Sequence, residues 1–298
     1  MLRAARRAAH LLRLTATCWG TNLVSRERVT GSAPVVVSLA SFGRRTKTAH
    51  LAVESVAAGS ARPSRIVVWL DESDEGAPLP RPLRRLVSRG LEVRYAPAAW
   101  GPHKKYYPLA AERTGVPVIT ADDDIFYPPT WLADLERATS GFRSADVVAH
   151  RVHVLQLEQG RVAPYATWPS CATTEPSLLH FPTGTSGRYI PVALLEELAE
   201  RGTAFLETCP RADDVWLHAV SVRASVATRQ VEARGHHFPQ VPGSQLEGLY
   251  RHNVERSGND EQVRATYEPQ DLAVLAAAAG AVRTSEPRPG TADPSDGR

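Results

Sequence analysis

Three consecutive aspartates, Asp122, Asp123 and Asp124, follow the apolar run Val116–Thr120 and precede an aromatic–proline corner, Phe126–Pro129. Two carboxylates about 5 Å apart repel by roughly 3 kcal/mol at an effective dielectric near 20. In an extended chain the side chains alternate, so Asp122 and Asp124 are expected on one side, with Cα atoms about 6.6 Å apart, and Asp123 on the other. A cation between Asp122 and Asp124 would remove the repulsion. Hard carboxylate oxygens suit Mg²⁺ or Mn²⁺, which keep water and bind substrate phosphates as well. A solvated acidic turn is the plain alternative. A second acidic pair, Asp213–Asp214, stands in "CPRADDVWLHAV". Acidic residues are favoured in the first turn of a helix by its dipole, so a helix start is the plain reading there.

The elements that would position these residues alternate regularly. "APVVVSLASF", "SRIVVWLDE", "LEVRYAP" and "VPVIT" read as four buried strands. Between them lie "TKTAHLAVESVAAGSARP", "PLPRPLRRLVSRG" and "HKKYYPLAAERTG", with helical spacing and Gly or Pro punctuation. Strand–helix alternation predicts an α/β fold with a mostly parallel sheet flanked by helices. In such sheets ligands bind outside the carboxyl ends of the strands. The triplet sits at one such end, and "SFGRRTK" and "LDESDEG" should face the same crevice. The second half is less regular: a helix at "TWLADLERATSG", a strand at "DVVAHRVHVLQLE", a Gly-rich loop at "FPTGTSGRYIP", and helices at "VALLEELAERG" and from Asp213. His150 and His153 fall on opposite faces of that strand and should not pair.

The chain has 298 residues, 43% hydrophobic and 22% charged, enough for a sizeable core. Its net charge of +3 is uneven: residues 1–33 hold six arginines and one glutamate, which leaves −2 for the rest. The body is therefore no nucleic-acid binder on charge grounds. Residues 1–33 form a basic N-terminal arm, read either as a peripheral contact with an anionic membrane or as a disordered or loosely docked tail. Residues 281–298 are poor in apolar side chains and read as a disordered tail. Cys18, Cys171 and Cys209 are far apart, which argues against zinc and against a disulfide framework and favours a reducing cytoplasm, at the inner face of the plasma membrane if the arm binds lipid. No apolar run approaches the ~18 residues of a membrane span. The D-x-D-x-[TV] pattern of haloacid dehalogenase phosphatases is excluded by Phe126 and by the triplet's place after the fourth strand.

Taken in order, "VVVSLASFGRR", "PSRIVVWLDE", "GLEVRYAP", "PHKKYYPLA", "VITADDDIFYPPTWL", "FPTGTSGRYIP", "CPRADDVWLHAV" and "GNDEQ" resemble bacterial glycosyltransferases of the GT-A type related to family 2, the polysaccharide- and capsule-associated enzymes. The resemblance spans about residues 34–270. It implies a GT-A (Rossmann-like) domain over 34–280, with 34–130 handling the nucleotide-sugar and 131–280 the acceptor. It implies a divalent metal, Mn²⁺ or Mg²⁺, on a D-x-D motif and transfer to a glycan or glycolipid hydroxyl. On that resemblance Asp124 is the main metal ligand, Asp122 lies toward ribose and metal, and Asp123 either contributes or points into the fold. Lys104 and Lys105, near the third strand's end, and Arg44 and Arg45, after the first, are expected to meet phosphate or base; surface cations are the alternative. Gly184 and Gly187 would permit close backbone approach to a ligand. An inverting displacement needs a base for the acceptor proton, and the family's acidic pair points to Asp214, with Asp213 in place of the usual Glu. His236, His237 and His252 are expected as a weak further metal or phosphate contact. Trp168 and Trp216 read as core or as sugar platforms. A non-catalytic nucleotide- or glycan-binding protein, and a metal-dependent phosphoesterase, are the rival readings.

Overall fold

A computed structural model describes residues 2–244 and 258–285. The order of elements is α1 (Leu2–Val24), β1 (Ala33–Ala40), α2 (Ala49–Ala57), β2 (Pro63–Asp71), α3 (Arg81–Val87), β3 (Leu91–Ala96), a 3₁₀ stretch (Ala98–Lys105), α4 (Tyr107–Ala111), β4 (Val118–Asp122) and α5 (Trp131–Ala138). The second half adds β5 (Val147–Ala149), β6 (Val152–Val154), β7 (Leu157–Glu158), β8 (Arg161–Val162), β9 (His180–Pro182), β10 (Arg188–Ile190), α6 (Val192–Glu200), α7 (Phe205–Thr208), α8 (Asp213–Arg223), β11 (Thr228–Gln230), α9 (Gly258–Thr266) and α10 (Pro269–Ser285).

Seven strands form one sheet in the order β11–β5–β10–β4–β1–β2–β3. All neighbours are parallel except β10, which runs antiparallel between β4 and β5. The fold is thus the expected α/β class with a mostly parallel central sheet. The strands read as continuous apolar runs because both faces are covered. In β2, Val67 and Trp69 pack on the face that α4, α6 and α8 cover, while Ile66, Val68 and Leu70 join the face under α2, α3 and α5. All five are buried. Exchanging any one for Ala would remove roughly 2–5 kcal/mol.

The β1–β4 registers align Ala40 with Asp122, and β2 ends at Asp71 beside Ala96 of β3. The carboxyl ends of β1, β2 and β4 therefore open on one side. The "HKKYYPLAAERTG" helix is shorter than its pattern: Lys104 and Lys105 end the 3₁₀ stretch, and α4 starts at Tyr107 with Pro108 in its first turn, where proline is tolerated. Much of "FPTGTSGRYIP" is strand, since Phe181–Pro182 and Arg188–Ile190 belong to β9 and β10.

The N-terminal arm is helical over Leu2–Val24. Its second half docks: Cys18 packs with Leu51, Phe126 and Val241, and Asn22 Nδ2 donates to Glu54 Oε1 at 3.0 Å. Arg89, itself buried, pairs with that Glu54 and donates from Nε to Glu27 O at 2.7 Å. Residues 4–10 are exposed on every side. No described helix is long and apolar enough to cross a membrane. Of the expected disordered tail, residues 281–285 instead continue helix α10, and the rest lies outside the described residues.

Candidate active site

A cleft of about 1090 Å³ opens at the carboxyl ends of β1, β2 and β4. The acidic triplet forms one wall. Strand β4 ends at Asp122, and Asp123 and Asp124 already lie in a turn. Strand alternation therefore stops one residue too early to send Asp123 to the opposite face, and all three aspartates line the cleft. That corrects the expectation for Asp123.

Each carboxylate meets a cation from the chain. Asp122 pairs with Lys105, and its backbone N–H donates to Tyr127 Oη at 2.7 Å. Asp123 accepts from Ser41 Oγ at 2.5 Å and pairs with Arg45. The same guanidinium reaches Asp124 Oδ2 at 3.1 Å. Burial, then the Asp122 charge, pushes Asp124 above the ordinary carboxylate range, against the pull of Arg45 and Lys105. Burial pushes Asp123 up to about 6, with Arg45 opposing and Asp124 adding. Lys105 is raised, because Asp122 and Asp213 outweigh its burial. Lys104 is buried and paired with Asp71, which also lines the cleft. The two strand-end segments flagged with the triplet thus reach the same crevice, through Ser41, Phe42 and Arg45 of one and Asp71 of the other.

Arg45 has a further property. Its Nε is buried and has no hydrogen-bond partner among the described residues. A buried N–H without an acceptor costs about 1–3 kcal/mol, and an anion in the cleft would satisfy it. Arg44 is exposed and does not line the cleft, so of the expected Arg44–Arg45 pair only Arg45 reaches it. One turn of 3₁₀ helix, Gly43–Lys47, rotates the two neighbours to different sides.

Asp213 and Asp214 open α8 on another wall. Asp213 is buried and pairs with Arg188, a fully buried residue of β10. Burial raises the Asp213 carboxyl, but Arg188, Lys105 and His103 together outweigh it and hold it below its ordinary value. Asp214 has no such partner. Burial and then the Asp213 charge push it up to about 6. It accepts from the Val215 N–H at 3.0 Å. Two adjacent carboxyls are thereby driven apart: one is fixed as an anion, the other titrates near neutrality. That is the arrangement of a group poised to take a proton.

Gly184 lines the cleft, and a Cβ there would lie 3.7 Å from Asp213 Oδ1, an ordinary contact. Gly187 serves packing rather than a ligand: at φ +95° a Cβ would come within 2.6 Å of the Trp131 ring. Trp168 and Trp216 are buried in the core and not on the cleft. His236 faces Glu232 at 3.0 Å, and neither it nor His237 lines the cleft; His252 lies outside the described residues. His150 is buried against the Trp131 carbonyl, whereas His153 lines the cleft, so the two are not paired. The sequence reading flagged the segment that holds Asp71 but passed over Arg188 and Arg151. Arg188 opens the three-residue β10 directly after Gly187, and no sequence signal marked it.

A hard divalent cation fits this donor set in part. Asp122 and Asp124 supply carboxylate oxygens whose mutual repulsion it would relieve. Among the described residues no group of three or more His, Cys, Asp or Glu side chains is arranged to hold a metal by itself. Water and substrate phosphate would have to complete the shell, as is usual for Mg²⁺.

No protein-family model and no curated protein matches the chain. Among solved structures, residues 1–349 of S. aureus TarS align with a TM-score of 0.48 and 16% identity, over 84% of this chain and 73% of that one. The mannosyltransferase PcManGT from Pyrobaculum calidifontis, in complex with GDP-Man and Mn²⁺, gives 0.47 and 14%, over 94% and 88%. A CMP:2-keto-3-deoxy-manno-octonic acid synthetase with CTP gives 0.44 and 11%, over 76% and 99%. At scores below 0.5 these likenesses carry no chemistry over to this chain.

Proposed function

We propose that the protein is a GT-A glycosyltransferase that moves a sugar from a nucleotide diphosphate donor to a hydroxyl of a glycan or glycolipid, with inversion. The observation that supports this best is the pairing of unlike carboxylate sites in one cleft. Three aspartates are compensated by chain cations beside an unsatisfied Arg45 N–H, and Asp214 is poised near neutral pH. The acceptor oxygen attacks the anomeric carbon as its proton passes to an Asp214 Oδ. The bond from that carbon to the diphosphate oxygen breaks, and the electron pair leaves with the nucleoside diphosphate. Arg45, Lys104 and Lys105 take up the developing negative charge. Asp213, fixed as an anion by Arg188, keeps the Asp214 carboxyl basic enough to accept a proton. Asp122 and Asp124 would hold Mn²⁺ or Mg²⁺ together with the diphosphate, and such an ion supplies Lewis-acid stabilisation of the leaving group.

The same reading places the protein at an anionic membrane surface through α1. That helix carries Arg3, Arg6, Arg7 and Arg13 and no acidic residue. Leu12, Trp19 and Leu23, at i, i+7 and i+11, are 69%, 54% and 46% exposed, so an apolar stripe of this basic helix faces solvent.

The deciding experiment is a thermal-shift screen with UDP-, GDP-, CDP- and dTDP-sugars, with and without Mn²⁺. One nucleotide class should stabilise the protein, more so with metal. Folded protein that responds to none overturns the transferase reading. Binding without transfer or hydrolysis on any acceptor would make it a binding protein.

A further inference from the structure

The cleft is also lined by Arg151, His153 and Asn259, which take no part in the ion pairs of the triplet. Arg151 immediately precedes β6, and His153 lies within it. Both line the cleft. Arg151 has no carboxylate partner among the described residues, whereas Arg45, Lys104 and Lys105 each have one. His153 stacks on Tyr165, rings 5.9 Å apart and 11° from parallel, and its buried ring has the Trp168 backbone as a hydrogen-bonding neighbour. Burial and the Arg151 charge push this histidine down to about 4, so the ring is neutral at pH 7 and offers one donor and one acceptor.

Helix α9 contributes to this lining. Asp260 Oδ1 accepts from the Tyr165 N–H at 2.7 Å, and Gln262 Oε1 from the Arg211 N–H at 2.9 Å. These bonds fasten the first turns of α9 to two residues that line the cleft. Asn259, which also lines the cleft, is 6% exposed, and its buried Oδ1 has no hydrogen-bond partner among the described residues. Buried polar atoms are almost always partnered, so the Asn259 Oδ1 without a partner among the described residues, on a cleft-lining residue, marks a place for a ligand.

The geometry points to an acceptor subsite for a hydroxylated molecule that carries an oxyanion, with Arg151 opposite the anionic group and His153 and Asn259 facing its hydroxyls. A phosphate or a carboxylate would satisfy the uncompensated guanidinium. A neutral sugar would leave it unpaired. This subsite rests on the transfer reading and narrows it: the acceptor is an anion and not a neutral glycan.

Calorimetric titration of the full chain with glucose 6-phosphate, glucuronate and glucose tests the subsite directly. One of the two anions should bind at least ten-fold tighter than glucose, and which one it is separates phosphate from carboxylate. Arg151→Gln should weaken that anion at least ten-fold, and Arg151→Lys should recover part of the loss. Asn259→Ala should weaken glucose and the anion alike. Nucleotide affinity should stay unchanged in all three variants. Glucose binding as tightly as either anion, no binding by either anion to folded protein, or an unaltered anion affinity in Arg151→Gln would overturn the assignment. A protein that binds the anion through Arg151 but binds no nucleotide would keep the subsite and sink the transferase reading.

Discussion

The two carboxylate sites of the cleft are built from the same residue type and behave oppositely. In the triplet each aspartate meets a lysine or arginine from another part of the chain: Lys105 for Asp122, Arg45 for Asp123 and Asp124. In the pair only Asp213 has a cation, Arg188, and its neighbour bears the consequence. A compensated cluster holds charge in place and suits binding. An uncompensated carboxyl beside a fixed anion holds a labile proton and suits chemistry. The difference lies in the partners, since local sequence is "DDD" in one case and "DD" in the other.

Swapping the uncompensated member tests the contrast most severely. Asp214→Asn should lower transfer by about 10³-fold, within the usual range for a lost acid–base group, while nucleotide binding measured by calorimetry stays within two-fold. A comparable loss of nucleotide affinity would assign Asp214 to the binding side instead. Next in size is the compensation itself. Lys105→Gln leaves Asp122 without its cation and should cost about 3 kcal/mol of stability, read by urea unfolding, and weaken donor binding. Adding Asp122→Asn should return much of the stability and none of the donor affinity. If the double variant is no more stable than the single one, the ion pair is not what holds this wall.

The pH dependence separates the sites further. A base with a carboxyl raised to about 6 is active only when deprotonated, so kcat/KM should fall about ten-fold per pH unit below 6. A rate that is flat to pH 4.5 would contradict this. The same raised value has the opposite sign for stability. A carboxyl raised in the folded state stabilises the fold below its unfolded value of 3.8, and that contribution is lost as pH rises through about 6. At pH 7 the ionised Asp214 therefore destabilises the fold, and Asp214→Asn should raise the unfolding free energy by about 1–2 kcal/mol, seen as an increase of a few degrees in Tm. The smallest effect concerns α1 alone: Leu12→Ser with Trp19→Ser should reduce sedimentation with phosphatidylglycerol vesicles several-fold and leave the cleft's nucleotide affinity unchanged.

Much of the frame was readable in advance because it is local. The runs "VVVSLA" and "IVVWLD" are long enough to show burial on both faces, and βα alternation fixes the side on which their ends open. Beyond Asp146 the strands of the main sheet are three residues long, too short for a period to emerge, and β9 and β10 were hidden in what read as a Gly-rich loop. Asp123 was sent to the wrong side by assuming that the strand continued. Arg44 and Arg45 were inseparable by type, and a single 3₁₀ turn distinguishes them.

By itself the sequence determined the α/β class, the carboxyl-end position of the triplet and the start of a helix at Asp213, because each follows from short-range patterning and burial. Only the tertiary structure decided which charges meet. Asp123 is 78 residues from Arg45, Asp213 is 25 from Arg188, and the Tyr165 N–H is 95 from the Asp260 carboxylate that holds it. Proton affinity in a buried cleft is set by those distant partners and by desolvation, and neither is written in the neighbours of a residue along the chain.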